Sequence, residues 1–163
     1  FDISITDKDA LDFQKIYADR QRHIHMSPLM EEILSFCSER AELGIITNGP
    51  SAHQWNKVQS LQAERWIPHG NIFVSADVGA EKPERKIFDC AKQTMGLEDT
   101  EIWFVGDAYA LDVVGALNAG WNAVWMNRRR RQMPEDAVKT GPGRVVCVET
   151  EEELDGFIRE LLE

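Results

Sequence analysis

Five short runs of mostly β-branched and aromatic residues recur along this chain, and segments with apolar residues at three- and four-residue spacing lie between them. Strand-like runs that alternate with helical patterns are typical of a parallel sheet covered by helices. The sequence therefore predicts an α/β fold. We expect strands at residues 43–47, 72–75, 102–105, 123–126 and 145–148, with Trp103 and Trp125 in the core.

Four helical patterns occupy the segments between these runs, at residues 28–40, 52–61, 83–95 and 110–119. A last helix begins after Thr150, with Glu153 at capping-box spacing. Gly96 and Gly120 follow two of the patterns, where a helix end favours a left-handed residue. Residues 6–24 form a further helical pattern.

Charge and cysteine content exclude several classes of partner and site. The 163 residues carry a formal charge of −10, so the electrostatic field of the chain repels nucleic acids and anionic membranes. Three cysteines lie far apart without a CxxC pair, which argues against a disulfide framework and a structural zinc site. No apolar run approaches the roughly 18 residues of a membrane span, and the N-terminus has no signal pattern. We expect a cytoplasmic protein with no nucleic-acid or membrane partner.

Polar residues follow the first predicted strand in the order Thr47, Asn48 and Gly49. The carboxyl ends of parallel strands are where open α/β sheets place ligand sites. A hydroxyl, a carboxamide and a flexible glycine backbone can all donate hydrogen bonds to a phosphoryl oxygen. An ordinary strand-to-helix turn would also explain these residues, because Asn-Gly is common in turns.

Lys82 lies directly before Pro83, and proline is suited to the first turn of a helix. An ammonium group held at this position can neutralise phosphate charge. The alternative interpretation is a solvated lysine beside a helix start.

Two carboxylates, Asp107 and Asp112, follow the third predicted strand, five positions apart. The first lies at the strand end and the second enters a helix, so both can bind one hard cation. Oxygen-rich sites with open water positions suit Mg²⁺. The alternative is a helix N-terminus whose acids complement the helix dipole.

Taken together and in this order, the three segments closely resemble the haloacid dehalogenase-like hydrolase superfamily in its phosphatase branch. The second, third and fourth motifs of that family are a strand-end Thr or Ser, a Lys before a helix, and an acidic pair in a loop that contains Gly-Asp. The resemblance covers residues 28–163 and includes Glu81-Lys82-Pro83 and Gly106-Asp107. The strand end Trp125-Met126-Asn127-Arg128 is similar to the nucleotidase and phosphoglycolate-phosphatase members.

The resemblance implies a Rossmann-like three-layer α/β/α core with a parallel sheet over residues 28–163. It implies the remnant of a helical cap with its linker over residues 1–27. The implied activity is Mg²⁺-dependent hydrolysis of a small phosphorylated metabolite, a nucleotide or a sugar phosphate, through an aspartyl-phosphate intermediate.

The resemblance also implies roles for individual residues. Thr47, Lys82 and Asp107 are the expected catalytic residues, and Asp107 and Asp112 are the expected Mg²⁺ ligands. The expected phosphate-binding residues are Thr47, Asn48, Gly49 and Lys82.

The first motif of the family, an apolar strand that ends in Asp-x-Asp-x-Thr, has no match before the first helix. Residues 1–5 have Ser4 where the acid is expected, and Asp7 and Asp9 lack the following Thr. Those two acids are better explained as first-turn residues of a helix capped by Thr6. We expect that the nucleophile and its strand lie upstream of this sequence, or that residues 1–5 replace the missing strand.

Two other functions stay open. A haloacid dehalogenase uses the aspartate without a metal, and the pair Asp107 and Asp112 argues against that activity. A non-catalytic protein that binds phosphate or a partner protein would explain the missing first motif. The oligomeric state stays open between a monomer and a homodimer.

Overall fold

The computed structural model describes residues 6, 8, 9, 11, 12, 24–133 and 142–163. Its strands are β1 (Ile45–Thr47), β2 (Ile72–Val74), β3 (Trp103–Gly106), β4 (Asn122–Met126) and β5 (Val145–Val148). Each coincides with one of the five predicted runs, and the ends differ by two residues or fewer. Consecutive β-branched and aromatic side chains favour extended backbone, so these predictions are confirmed.

Six α-helices lie before, between and after these strands within residues 24–133 and 142–163. They are α1 (Pro28–Ser38), α2 (Ser51–Ser60), α3 (Ser75–Val78), α4 (Arg85–Met95), α5 (Val114–Asn118) and α6 (Glu151–Leu162). The short α3 was not predicted, and a π-helical turn over Tyr109–Val113 replaces the predicted start of α5. The pattern predicted over residues 6–24 lies mostly outside the described residues.

Three predicted helix ends have the expected residues. The Glu153 amide donates a hydrogen bond to Thr150 Oγ1 at 3.2 Å, which caps α6. Gly96 after α4 and Gly120 after α5 have φ values of 68° and 82°. Glycine adopts this left-handed conformation without the penalty that a Cβ brings, so both predictions are confirmed.

Thr6 and Asp9 cap each other near the N-terminus. The Asp9 amide donates to Thr6 Oγ1, and the Thr6 amide and hydroxyl both donate to the Asp9 carboxylate. These bonds lower the pKa of Asp9. Asp9 is therefore a first-turn capping acid, as predicted, while Asp7 lies outside the described residues.

The five strands form two parallel sheets within the described residues. In the first sheet, β1 pairs with β2, with Ile46 opposite Phe73. In the second, β4 lies between β3 and β5, with Val124 opposite both Val105 and Val146. Residues 123–126 of β4 are buried, as expected for a parallel strand covered on both faces. The predicted α/β class is confirmed.

Two apolar clusters cover the second sheet. We call the first the α4 cluster; it contains Ile87, Phe88 and Ala116 from α4 and α5. We call the other the α6 cluster; it contains Ile33 from α1 and Leu154 from α6. Burial of these side chains is the main force that holds the helices on the sheet.

The two tryptophans predicted as core residues differ in burial. Trp125 is 2% exposed, which confirms its prediction. Trp103 is only partly buried; its ring lies 5.0 Å from the Phe157 ring and 4.9 Å from the Arg144 guanidinium carbon. The prediction that Trp103 is a core residue is confirmed only in part. Within the described residues, β3 pairs with β4 along one edge and has no strand along its other edge.

Cys37, Cys90 and Cys147 are free thiols. Among the helices of the described residues, none is long and apolar enough to cross a membrane.

Candidate functional site

Thr47 is the last residue of β1, so its hydroxyl lies at the carboxyl end of the first sheet. Thr47 Oγ1 donates a hydrogen bond to Gln54 Oε1 at 2.8 Å, and Gln54 in α2 is only 8% exposed. This bond holds the hydroxyl in one orientation. Sequence reasoning missed Gln54, because a single glutamine in a helical pattern carries no signal of its partner.

Gly49 lies where the chain turns from β1 towards α2. Its φ is 144°, and a Cβ at this position would overlap the Gln54 side chain. The Gly49 amide donates to Ser75 Oγ at 2.9 Å, which ties this turn to the start of α3. Both the conformation and the close approach of Gln54 require glycine here.

Asn48 fixes the main chain of Lys82. Asn48 Nδ2 donates to the Lys82 carbonyl oxygen at 2.9 Å, and the Lys82 amide donates to Asn48 Oδ1 at 2.9 Å. The two bonds join the turn after β1 to the loop before α4. Asn48 was predicted as a phosphate-binding residue; in this structure its carboxamide positions Lys82.

The ammonium group of Lys82 lies between residues of β1 and β3. Lys82 Nζ donates to the Ile46 carbonyl oxygen at 3.0 Å and lies 2.7 Å from Asp112 Oδ1 and 5.1 Å from the centroid of the Phe104 ring. The Lys82 side chain is 12% exposed. A charge so far removed from water needs partners of this kind. Lys82 is therefore a fixed cation at the carboxyl ends of both strands.

Asp112 is 4% exposed and lies in the π-helical turn. Its Oδ2 accepts a hydrogen bond from the Ala108 amide at 2.9 Å. Its Oδ1 forms the ion pair with Lys82, but the contact lacks hydrogen-bond geometry, and this oxygen accepts no hydrogen bond within the described residues. Gly106 permits the close approach, because a Cβ there would overlap Asp112.

Asp107 follows β3 directly and is exposed. Its main-chain oxygen accepts a hydrogen bond from Trp125 Nε1 at 3.2 Å, which fixes the backbone at this point. The carboxylate itself has no hydrogen bond or ion pair within the part of the chain that the structure describes.

The two carboxylates fit the chemistry of a magnesium site. Mg²⁺ prefers oxygen ligands and keeps several waters, so one or two protein carboxylates are enough to bind it. Asp107 offers an exposed carboxylate, and Asp112 offers a buried oxygen without a hydrogen-bond donor. The described residues contain no group of three or more His, Cys, Asp or Glu side chains that could hold a metal ion. The candidate magnesium ligands within the described part of the chain are therefore the carboxylates of Asp107 and Asp112.

Tyr109 lies between the two acids in sequence, and its ring packs edge-on against Trp125 at a centroid distance of 4.9 Å. Burial raises the pKa of the Tyr109 phenol. The contact anchors the acidic loop to β4.

A groove of about 1300 Å³ runs between β1 and β3, and Lys82, Asp107 and Asp112 line one of its ends. Thr47, Asn48 and Gly49 do not line this groove. The predicted site residues thus form two adjacent groups, which the hydrogen bonds between Asn48 and Lys82 connect.

The sequence of this chain is similar to those of known proteins. Residues 2–126 match the family model described as Haloacid dehalogenase-like hydrolase, which is more than half of the chain and includes all the predicted site residues.

Two curated relatives cover about the same part of the chain. The chain is 34% identical over 109 residues to Pyrimidine 5'-nucleotidase YjjG of Escherichia coli (strain K12), which covers 66% of this chain and 48% of the relative. It is 31% identical over 107 residues to Glyceraldehyde 3-phosphate phosphatase of Methanothermobacter thermautotrophicus, which covers 66% of this chain and 46% of the relative. The chain therefore spans about half the length of these relatives.

Among solved structures, the chain is similar to the putative HAD-hydrolase YfnB from Bacillus subtilis bound to magnesium. The TM-score is 0.78 at 22% identity, and the match covers 95% of this chain and 65% of that chain. At this identity the likeness shows the fold alone. The family follows from the sequence match over residues 2–126: this chain belongs to the haloacid dehalogenase-like hydrolases.

Proposed function

We propose that the intact protein is a Mg²⁺-dependent phosphomonoester hydrolase that acts through an aspartyl-phosphate intermediate. The observation that carries this proposal is the position of Lys82 Nζ, 3.0 Å from the Ile46 oxygen and 2.7 Å from Asp112 Oδ1. A fixed ammonium group beside two carboxylates can offset the charge of a phosphoryl group next to a metal ion. The relatives named as a nucleotidase and a phosphatase support this reaction class.

The proposed phosphate-binding residues are Thr47, Asn48, Gly49 and Lys82. Gln54 orients the Thr47 hydroxyl, and Ser75 holds the backbone at Gly49. Binding of a phosphoryl group would exchange these partners for phosphoryl oxygens, because the Thr47 hydroxyl and the Gly49 amide each have one proton to donate. These residues would bind and orient the phosphoryl group.

Asp107 and Asp112 would hold Mg²⁺. When bound, the ion polarises phosphoryl oxygens and offsets the charge that develops during transfer. Lys82 already faces Asp112 Oδ1, so the ammonium group limits the negative charge at this end of the groove.

We propose that the nucleophilic aspartate comes from a segment outside the described residues. Besides Asp107 and Asp112, the acids that line the groove are Glu42 and Glu101. Both precede their strands and therefore lie at the amino ends, away from Lys82. The described residues at the Lys82 end offer no third acid for this role.

A small phosphorylated metabolite, a nucleotide or a sugar phosphate, is the proposed substrate, and the names of the two relatives support this class. We assign residues 28–163 to the hydrolase core and residues 1–27 to a partial cap with its linker. The three free thiols fit a reducing, cytoplasmic compartment.

The activity test measures hydrolysis of para-nitrophenyl phosphate by the full-length natural protein, with Mg²⁺ and with a chelator. We expect turnover that the chelator abolishes. Lys82→Met should lower kcat about 10²–10³-fold, because a fixed charge that stabilises the transferring group is lost. Asp107→Asn should raise the Mg²⁺ concentration that turnover requires.

Asp99→Asn is the matched control, because Asp99 is exposed and does not line the groove. Its activity and Mg²⁺ requirement should equal those of the wild type. Halide release from a 2-haloacid without metal, and no phosphate release, would assign the protein to the dehalogenases instead. A protein that binds Mg²⁺ but hydrolyses no ester in a broad panel would be a non-catalytic binding protein.

A further inference from the structure

Four consecutive arginines, at residues 128–131, follow β4 in a chain whose formal charge is −10. Strands β3 and β4 are parallel, and Gly106 lies opposite Trp125. The Asp107 main-chain oxygen also accepts a hydrogen bond from Trp125 Nε1 at 3.2 Å. The turn that contains the arginines therefore leaves the sheet at the same edge as the acidic loop with Asp107 and Asp112.

Asn127, which is only 6% exposed, fixes the shape of this turn. Asn127 Nδ2 donates to the Arg131 carbonyl oxygen at 2.9 Å, and the Arg131 amide donates to Asn127 Oδ1 at 2.9 Å. The Arg130 amide donates to the Asn127 main-chain oxygen at 2.9 Å. A carboxamide thus holds the main chain of Arg131 in the same way that Asn48 holds the main chain of Lys82.

Two of the four arginines are paired with glutamates at the start of α6. Arg128 Nη2 lies 2.7 Å from Glu151 Oε1, and Arg130 Nε lies 2.8 Å from Glu149 Oε2. These ion pairs attach the turn to the beginning of the last helix. They also neutralise every second charge of the run.

The other two arginines, Arg129 and Arg131, have exposed side chains. Their guanidinium groups have no hydrogen bond or ion pair within the part of the chain that the structure describes. Both residues line the groove that Lys82, Asp107 and Asp112 also line. Guanidinium groups bind carboxylates and phosphates through paired N–H donors. Arg129 and Arg131 are therefore the positive charges of this turn that a ligand in the groove could use.

A solvated turn is the ordinary explanation for exposed arginines, and two features of this turn argue against it. Arg130 has a φ of 49°, a left-handed conformation that is unfavourable for a residue with a Cβ. Strained backbone of this kind occurs preferentially at ligand sites. In addition, Arg129 and Arg131 are two like charges in a turn whose shape Asn127 fixes, and a bound anion would offset their repulsion.

We propose that Arg129 and Arg131 form a second anion-binding subsite in the groove. This subsite binds a carboxylate or a second phosphate of the substrate, while Lys82 offsets the charge of the phosphoryl group that is transferred. A small dianionic metabolite fits two guanidinium groups beside a phosphate site. A nucleic acid does not, because the formal charge of −10 repels a polyanion.

This inference rests on the proposed function and narrows its substrate class. The substrate would be a phosphorylated metabolite that carries a further anionic group away from the reacting phosphate. Two charged contacts orient a small ligand more strictly than one does, so the second contact would favour the productive orientation.

The test measures binding to the full-length natural protein with Mg²⁺ by isothermal calorimetry. The probes are phosphonates, whose P–C bond a phosphomonoesterase does not hydrolyse. One series ends in a carboxylate, one in a second phosphonate and one in a methyl group, each with two to six methylene groups. At one length or more, a probe with a second anion should bind about tenfold more tightly than its methyl-terminated counterpart, because hydrogen bonds between charged groups are strong. The tighter of the two dianionic series identifies the second group as a carboxylate or a phosphate.

The double variant Arg129→Met with Arg131→Met is diagnostic. It should abolish the preference for a second anion and leave the affinity for methyl-terminated probes unchanged, because only the two charges are lost. Arg129→Lys with Arg131→Lys should keep more of the preference, since an ammonium group retains the charge but not the paired donors. Arg130→Met is the matched control. Arg130 belongs to the same turn but is paired with Glu149 and does not line the groove, so the preference should not change.

Several outcomes would overturn the proposal. Equal affinities of dianionic and methyl-terminated probes at every length would show that the two arginines bind no second anion of a ligand. An equal loss for all probes in the double Met variant would assign them to the phosphoryl group instead, and an equal loss of preference in Arg130→Met would indicate a general field of the turn.

The outcome for the subsite is separate from the outcome for the proposed function. Hydrolysis of para-nitrophenyl phosphate that a chelator abolishes, together with equal probe affinities, would contradict the subsite alone. A preference for dianionic probes that depends on Arg129 and Arg131, in a protein that hydrolyses no ester, would support the subsite and contradict the proposed catalysis.

Discussion

Asn48 and Lys82 are 34 positions apart, yet their two hydrogen bonds define the centre of the candidate site. The carboxamide of Asn48 both donates to and accepts from the Lys82 main chain, so it fixes position and orientation together. Lys82 then directs its ammonium group to the Ile46 oxygen and to Asp112. At the scale of single residues, the site therefore depends on Asn48, whose main effect is to position Lys82.

Asn48→Ala should lower the free energy of unfolding by about 1–3 kcal/mol, because the amide and the carbonyl of Lys82 both lose their partner in a part-buried place. Urea denaturation followed by circular dichroism measures the change. Asn56→Ala is the control, since Asn56 is exposed in α2 and alanine favours a helix. A loss of stability in Asn48→Ala no larger than that of the control would show that the two bonds contribute little.

At the scale of elements, the strands and the long helices lie where the sequence patterns predict them, and the short elements were not predicted. The four residues of α3 and the five of the π-helical turn are too few to display a period. Yet Ser75 at the start of α3 holds Gly49, and Asp112 lies in the π-helical turn. Elements that the sequence could not predict therefore carry two of the contacts that shape the site.

The hydrogen bond that caps α6 should contribute to the stability of the fold, and a single substitution can measure this contribution. Thr150→Ala removes the oxygen that accepts from the Glu153 amide and should lower the free energy of unfolding by about 1 kcal/mol. Thr100→Ala, at an exposed position outside the helices, should have no comparable effect. Equal urea midpoints for Thr150→Ala and the wild type would contradict the role of the cap.

At the scale of the whole molecule, Glu101 joins three strands of the second sheet. One of its carboxylate oxygens accepts hydrogen bonds from Trp103 in β3, from Asn122 in β4 and from Arg144, which directly precedes β5. The bond from Arg144 is the largest of the influences that lower the pKa of Glu101.

This lowered pKa predicts a dependence of global stability on pH. The folded state binds the Glu101 proton more weakly than the unfolded state does, so the stabilisation is present above the unfolded pKa. It is lost as the pH falls through the lower, folded pKa. Urea denaturation at a series of acidic pH values should show a smaller loss of stability for Glu101→Gln than for the wild type across this interval.

Glu98→Gln is the control for this series, because Glu98 is an exposed acid that precedes β3 without a described ion pair or hydrogen bond. Its stability should vary with pH as that of the wild type does. If Glu101→Gln also followed the wild-type curve, the carboxylate would not couple the three strands.

The order of strands, helices and polar motifs could be predicted from the sequence, because those features depend on residues close together in the chain. Thr47, Lys82, Asp107 and Asp112 were identified in this way, and the structure brings Lys82 to Asp112. The partners of these residues, such as Gln54 and Ser75, could not be predicted. They come from other elements, and only packing decides which side chains meet.

The sequence by itself determined the α/β class, the five parallel strands and the family, since local periodicity and short motifs carry that information. Only the tertiary structure decided that the strands form two sheets with a groove between β1 and β3, and that Lys82 lies at its end. The physical reason is that strand pairing and ion pairing join residues far apart in the chain. Their outcome depends on which main-chain edges and charges the packed helices leave facing one another.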